Sequence, residues 1–233
     1  MIGGVNFGEL RRLEPVSRKF GLDRGLPIDR YYIEEFLRGV SSDIRGDVLE
    51  IGDDTYTRRF GQHPISSSTV MHVAEGTPNA TLVGDLATGV GVPTSAFDCI
   101  ILTQTLPFIY DVRGAIRNAY EALKPGGVLL ATLPGISQVS RYDMDRWGDY
   151  WRFTTLSAER LFAESFGAGN ASIQSHGNVL AAVSLLHGLA SGELQPDELD
   201  APDADYQVLI TIRAIKKQRI QVEPRHDGNA RPH

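Results

Sequence analysis

Short apolar runs, each closing on a glycine or a polar residue and spaced by helix-sized stretches, constrain this chain more than any other feature. Asp47-Val-Leu-Glu-Ile-Gly52, Ala80-Thr-Leu-Val-Gly-Asp85, Phe97-Asp-Cys-Ile-Ile-Leu-Thr103 and Gly127-Val-Leu-Leu-Ala-Thr132 have the length of strands buried on both faces. One more strand is expected between the first two, within Ser67 to Val73. Between the last two, Asp111 to Leu123 reads as an amphipathic helix with Asp111 as its cap. Val112, Ile116, Ala119, Tyr120 and Leu123 share one face. Lys124-Pro-Gly-Gly127 ends it, because proline and glycine do not continue a helix. A further helix, Asp29 to Arg38, precedes the first strand, with Asp29 as a candidate cap. Strands alternating with helices predict βαβ units: an α/β, doubly wound, mostly parallel sheet with helices on both faces.

The second half of the chain extends this pattern. A helix from Ser157 to Phe166, a strand near Ala171 to Ser175 and a helix from Asn178 to about Ala190 follow. Glu193 to Tyr206 reads as an acidic loop, and Gln207 to Ile215 alternates like an antiparallel last strand. Residues 1–28 form an N-terminal arm or cap, 29–215 one domain, and 216–233 an expected disordered tail.

Composition excludes some classes of function. The net charge of −6 disfavours a nucleic-acid backbone as partner, because phosphates demand clustered positive charge. The single cysteine, Cys99, forbids an intrachain disulfide and suits a reducing, cytoplasmic setting. It falls mid-strand and reads as core. No apolar stretch approaches the roughly 20 residues that a bilayer demands, so no membrane is expected. No His or Cys spacing suggests a metal, and no G-x-S-x-G elbow suggests a serine hydrolase.

Ligands of open α/β sheets bind at the carboxyl ends of the strands, where strand order reverses. Gly52 ends the first strand, and a glycine there lets the backbone approach a ligand. Asp85 ends a later strand on the same edge, where its carboxylate can accept hydrogen bonds from an amino group or a hydroxyl. VLEIG at 48–52, GDL at 84–86, FDCIILTQTL at 97–106 and LKPGG at 123–127 resemble, in order and spacing, the motifs of class I S-adenosylmethionine-dependent methyltransferases. The resemblance covers residues 47–133 and implies a Rossmann-like fold with S-adenosylmethionine as cofactor. It implies that Glu50 organises the methionine end, with Gly52 and Asp53 beside it. Asp85 and Leu86 would flank the adenine, and Thr103 and Gln104 would line the floor. DYWRFT at 149–154 resembles methyltransferase-like proteins found alongside glycosyltransferases, which suggests O-methylation of a small-molecule or saccharide acceptor.

This chain departs from the family pattern in two places. The family has a run like GxGxG after the first strand, whereas here the residues are Gly52-Asp-Asp-Thr-Tyr56. Asp54 and Tyr56 are thereby expected to put bulk, and Asp54 negative charge, where the methionine would lie. The second strand ends near Thr69 to His72 with no acid for the ribose hydroxyls. The alternative is a methyltransferase-fold binding or scaffold module with impaired cofactor binding. A nicotinamide enzyme is disfavoured because G-x-G-x-x-G is absent.

The segment Arg141 to Phe153 follows the fifth strand and so starts at the ligand-binding edge. It mixes aromatics and charges. Tyr142, Trp147, Asp149, Trp151 and Arg152 are candidate acceptor-binding residues, since rings stack on sugar faces and charges bond hydroxyls. Candidate proton acceptors are His176, placed just after the strand at 171–175, and Asp143 and Asp145.

Overall fold

A computed structural model describes Asn6, Gly8 and residues 11–218. Its centre is a sheet of seven strands in the order β3-β2-β1-β4-β5-β7-β6. The strands are β1 (Gly46–Ile51), β2 (Ile65–His72), β3 (Leu82–Val83), β4 (Phe97–Thr103), β5 (Leu123–Pro134), β6 (Ala171–His176) and β7 (Leu209–Ile215). β7 runs antiparallel to both of its neighbours, and the other pairings are parallel. The chain moves outward through β2 and β3, then returns to β4 on the other side of β1. That reversal opens a crevice at the carboxyl ends of β1 and β4.

The β4 residues show why these runs are strands. Cys99 and Ile101 face a cluster with Tyr32, Ile33 and Leu37 of α1 (Ile28–Gly39) and Leu185 of α6 (Val179–His187). Ile100 and Leu102 face the opposite cluster, with Ile116 and Ala119 of α3 (Val112–Ala122) and Phe162 of α5 (Thr155–Phe166). Successive side chains point to opposite faces, so a run without polar interruptions needs helices on both. Burial pushes the Cys99 thiol far up, which leaves it an inert core residue.

Caps set several helix ends. The Asp111 side chain accepts from Gly114 N–H at 2.9 Å, and Asn178 accepts from Ala181 N–H at 3.0 Å. Asp29 is not the cap of α1. Pro27 occupies that position, since its missing N–H costs nothing there, and Asp29 falls in the first turn. The 193–206 stretch is not all loop. It contains α7 (Pro196–Asp200), started by Pro196 and by Glu198, whose carboxylate accepts from Gln195 N–H at 2.7 Å. Lys216 is buried. Its ammonium donates to the carbonyls of Tyr120 and Leu123, each at 2.8 Å, at the end of α3. Residues 219–233, with His226 and His233, lie outside the described residues.

The arm is anchored before α1. Val16 and Ser17 donate from their backbone amides to the His187 carbonyl, at 2.8 and 3.1 Å. Gly188, with φ 71°, makes this approach possible, because a Cβ there would sit 2.2 Å from the Ser17 carbonyl oxygen. No helix among the described residues is long and apolar enough to cross a membrane.

Candidate active site

Two cavities open at the carboxyl edge. The first, of about 530 Å³, runs from Gly52 past His72 and Asp85 to Thr103 and Trp147. The second, of about 550 Å³, lies between the N-terminal arm, the start of α1 and the 137–152 segment. Thr103, Gln104, Phe108 and Asp143 line both, so these residues form the wall where an occupant of one meets an occupant of the other.

The first cavity owes its shape to the turn after β1. Gly52 has φ 85°, and nothing lies within 4 Å of where its Cβ would point. Glu50 does not line the cavity. It is buried and accepts from Tyr56 N–H at 3.2 Å, and from Thr57 N–H and Thr57 Oγ1–H at 2.8 Å each. These bonds satisfy the free amides at the start of the short helix α2 (Thr55–Phe60). Glu50 therefore acts on the cavity through the 52–57 turn. Burial pushes its carboxyl up to about 6, against the opposing pull of the Thr57 and Tyr56 bonds.

The residues that replace the glycine run turn away from the cleft. Asp54 accepts from Arg58 Nε at 2.8 Å and Ser68 Oγ at 3.2 Å, on the β2 side. Tyr56 is buried, its hydroxyl bonded to Arg30 and its ring against Phe60. Neither lines a cavity, so the expected bulk and charge are absent from the crevice. Asp53 is exposed, and its carboxylate accepts from Thr55 N–H at 2.9 Å.

Asp85 follows β3 and lines the first cavity beside Leu86. Its carboxylate accepts from Ala87 N–H at 2.8 Å and Thr88 Oγ1–H at 2.9 Å. An ionised carboxylate has about four acceptor positions, so capacity for a ligand remains. His72 ends β2 on the same wall. Its Nδ1 accepts from Ala74 N–H at 3.0 Å, which puts a proton on Nε2, and its ring meets Trp147 edge-on. The sequence put the end of the second strand near His72 but did not mark the histidine itself as a site residue.

Thr103 and Gln104 line both cavities. Gln104 has φ 49°, a left-handed conformation that a side chain with a Cβ pays for. Its N–H donates to the Thr132 carbonyl at 3.1 Å, which holds the strained residue in place.

The 137–152 segment divides into two kinds of residue. Asp143, in α4 (Arg141–Met144), stands on the shared wall, and its Oδ2 accepts from Ser140 Oγ at 2.5 Å. Tyr142 lines the second cavity and Trp147 the first. Asp149 and Arg152 also line the second, but as a brace. The Arg152 fork bonds both Asp149 oxygens, at 2.5 and 3.0 Å, and the Gln138 carbonyl at 2.6 Å. Burial alone would raise the Asp149 carboxyl, yet Arg152 and the Ser140 amide hold it below its ordinary range. Trp151 lines neither cavity. Its indole donates to the Ile109 carbonyl at 3.2 Å, and its ring stacks on Tyr110. Asp145 is exposed and pairs with Arg141 at 3.5 Å, outside both cavities.

His176 is not brought to this edge crevice. β6 runs parallel to β5, as expected, but β7 stands between them, so the strand end lies at the sheet margin. The ring stacks on Tyr32, bonds Thr211 Oγ1 at 3.0 Å and lines a separate groove with Glu35 and Arg213. Burial pushes its imidazole down. Asp29, expected as a cap, instead lines the second cavity, and desolvation there raises its carboxyl.

Comparison with known proteins agrees with this geometry. A family model described as a methyltransferase domain matches residues 28–166, more than half of the chain. No curated protein matches the chain. Among solved structures, an S-adenosylmethionine-dependent methyltransferase from Mesorhizobium loti aligns with TM-score 0.52 and 17% identity, over 84% of this chain and 100% of that one. The N-methyltransferase NodS from Bradyrhizobium japonicum, solved with S-adenosyl-L-homocysteine, aligns with TM-score 0.51 and 17% identity, over 90% and 94%. The [4+2]-cyclase SpnF aligns with TM-score 0.50 and 17% identity, over 84% and 85%. These likenesses fix the fold. The family match makes this chain a member of the methyltransferase-domain family.

Proposed function

We propose that the protein transfers a methyl group from S-adenosylmethionine to a hydroxyl oxygen of a small-molecule acceptor, with saccharides among the candidates. The observation that carries this reading is the wall common to the two cavities, Thr103, Gln104, Phe108 and Asp143. An acceptor in the second cavity would reach the first only across that wall. When bound, the cofactor supplies an electrophilic methyl group on sulfur. Asp85 and Leu86 would hold its adenine, and the open backbone at Gly52 would admit its methionine end. Thr103, Gln104 and Phe108 would align the two reactants, and alignment is the main demand of an in-line displacement. Asp143 would take the hydroxyl proton. The exposed rings of Tyr142 and Trp147 offer faces on which a sugar could stack.

Calorimetry with S-adenosylhomocysteine, S-adenosylmethionine and NAD tests the cofactor site. Binding of the first two without the third is expected. Asp85→Ala should weaken S-adenosylhomocysteine by about 1–3 kcal/mol, since the adenine amino group loses its acceptor. An unchanged dissociation constant would remove Asp85 from the site. The scaffold reading rested on bulk in the glycine loop, and the outward turn of Asp54 and Tyr56 takes that motive away. Absence of any S-adenosylhomocysteine binding would restore it.

Gln104 gives a second test. Glycine relieves left-handed strain but adds freedom to the unfolded chain. Gln104→Gly should therefore hold or raise stability, by up to about 1 kcal/mol. It should slow transfer nonetheless, because the shared wall loses a side chain. Thermal melts and turnover measured on one preparation check both. A large stability loss with normal turnover would contradict the assignment.

A further inference from the structure

The second cavity carries a charge opposite to that of the protein. The whole chain has net charge −6. Yet Arg18, Lys19, Arg30, Arg141 and Arg152 line this cavity against Asp29, Asp143 and Asp149. Two of the cations are committed elsewhere: Arg152 is saturated by Asp149 and backbone carbonyls, and Arg141 pairs with Asp145. Arg30 donates to the neutral Tyr56 hydroxyl, and the neighbouring Asp29 carboxylate offsets only part of its charge. Arg18 and Lys19 have no ion-pair partner among the described residues. Asp23, on the same arm, accepts from Ser17 Oγ at 2.5 Å and attracts Lys19 without forming an ion pair with it. Like charges gathered at one cavity repel one another unless an anion joins them.

The arm that carries Arg18 and Lys19 is also held firmly against the domain. The His187 carbonyl accepts two of its backbone amides, and Gly21 passes so close to Leu189 that a Cβ would meet its carbonyl oxygen at 2.6 Å. The Arg24 fork closes on Glu193, with Nε at 2.9 Å. Phe20, between the cations and these anchors, has φ 57°, a conformation bulky residues rarely adopt and one found where surrounding contacts impose it. Charge at a cavity mouth on a fixed, strained segment is prepared in advance for a ligand, and such preparation lowers the cost of binding.

We infer that the acceptor is a hydroxylated small molecule carrying an anionic oxygen group, a carboxylate or a phosphate, which Arg18, Lys19 and Arg30 hold at the mouth of the second cavity. The inference rests on the methyl-transfer reading and adds the charge of the acceptor to it. The anion would anchor one end of the molecule while its hydroxyl lies at the wall by Asp143. Keeping the anion at the mouth also keeps its charge off that carboxylate.

The test titrates isotope-labelled protein, loaded with S-adenosylhomocysteine, with inorganic phosphate and separately with acetate at constant ionic strength. Backbone amide shifts of residues 17–20 and 30 are followed by NMR. Saturation by at least one anion is expected, with a dissociation constant on the order of 1–10 mM, as a few exposed charge-assisted bonds supply. Saturation by phosphate alone assigns a phosphate-bearing acceptor, and by acetate alone a carboxylate. The double variant R18Q/K19Q should weaken the anion about tenfold, whereas R160Q, an exposed arginine elsewhere, should not. All three proteins should bind S-adenosylhomocysteine equally. Absence of saturation by both anions, or equal affinity in R18Q/K19Q, overturns the inference while leaving methyl transfer standing. Failure of the unmodified protein to bind S-adenosylhomocysteine would bring down both.

Discussion

Asp143→Asn should lower turnover by about 10²–10⁴-fold while leaving cofactor affinity nearly unchanged. Asparagine keeps the size of the side chain and can still accept from Ser140 Oγ, so α4 should stay in place. The backbone carbonyl of Asp143, which accepts from Trp147 N–H at 2.7 Å and from Arg146 N–H at 3.0 Å, is untouched. What disappears is the ability to take a proton at the shared wall. Single-turnover assays with an identified acceptor separate this loss from slow product release. Asp145→Asn is the control: that carboxylate is exposed and outside both cavities, so its turnover should match the unmodified protein. Normal turnover in a stable Asp143→Asn protein would dismiss Asp143. Asp29 would then be the next candidate, because it lines the same acceptor cavity and burial raises its carboxyl toward the range of an effective base.

The sheet was legible because its signal is local and repeated. Residues 97–103 must be buried on both faces, and β4 is. Asp111 and Asn178 were readable as caps since they directly precede their helices. The outcome at Asp29 was less readable, because proline two residues earlier already supplied the helix start. The cavity lining was legible where a residue ends a strand or follows closely on one, as Thr103, Gly52 and Asp85 do. It was not legible where side-chain direction decides. Asp54 and Tyr56 read as obstacles from sequence, but Arg58, Ser68 and Arg30 draw them outward. His176 emerges at the correct end of its strand, yet the intervening β7 separates it from the crevice. Sequence alone cannot place an edge strand relative to the strand inserted beside it. Arg18 and Lys19 were hidden for a similar reason. Their role depends on an arm folding back onto α6 across most of the chain length, and no local pattern encodes that contact.

Glu50→Ala should be the most destabilising single change at the site, and its cost should depend on pH. Removal of the carboxylate strands three buried donors, Tyr56 N–H, Thr57 N–H and Thr57 Oγ1–H. An unsatisfied buried donor costs about 1–3 kcal/mol, and burial of the charge offsets part of that sum. A net loss of about 3 kcal/mol at pH 7 is therefore expected. The sign of the pH dependence follows from the raised carboxyl, which moves from its ordinary 4.5 to about 6 in the fold. A raised acid binds its proton more tightly when folded, so its contribution to stability is complete below pH 4.5 and is lost as pH rises through 6. That contribution is about 2 kcal/mol. Glu50→Ala cannot show it, so the gap between the two proteins should widen by about 2 kcal/mol from pH 7 to pH 4.5. Glu50→Gln keeps one acceptor and no charge, and its deficit at pH 7 should be the smaller of the two. Urea unfolding of the three proteins across this range provides the measurement. A gap that narrows as pH falls would mean that Glu50 is ionised without penalty and the turn at 52–57 is held by other means. If the gap does widen, S-adenosylhomocysteine affinity should fall in Glu50→Ala though Glu50 lines no cavity, since the turn that shapes Gly52 depends on it.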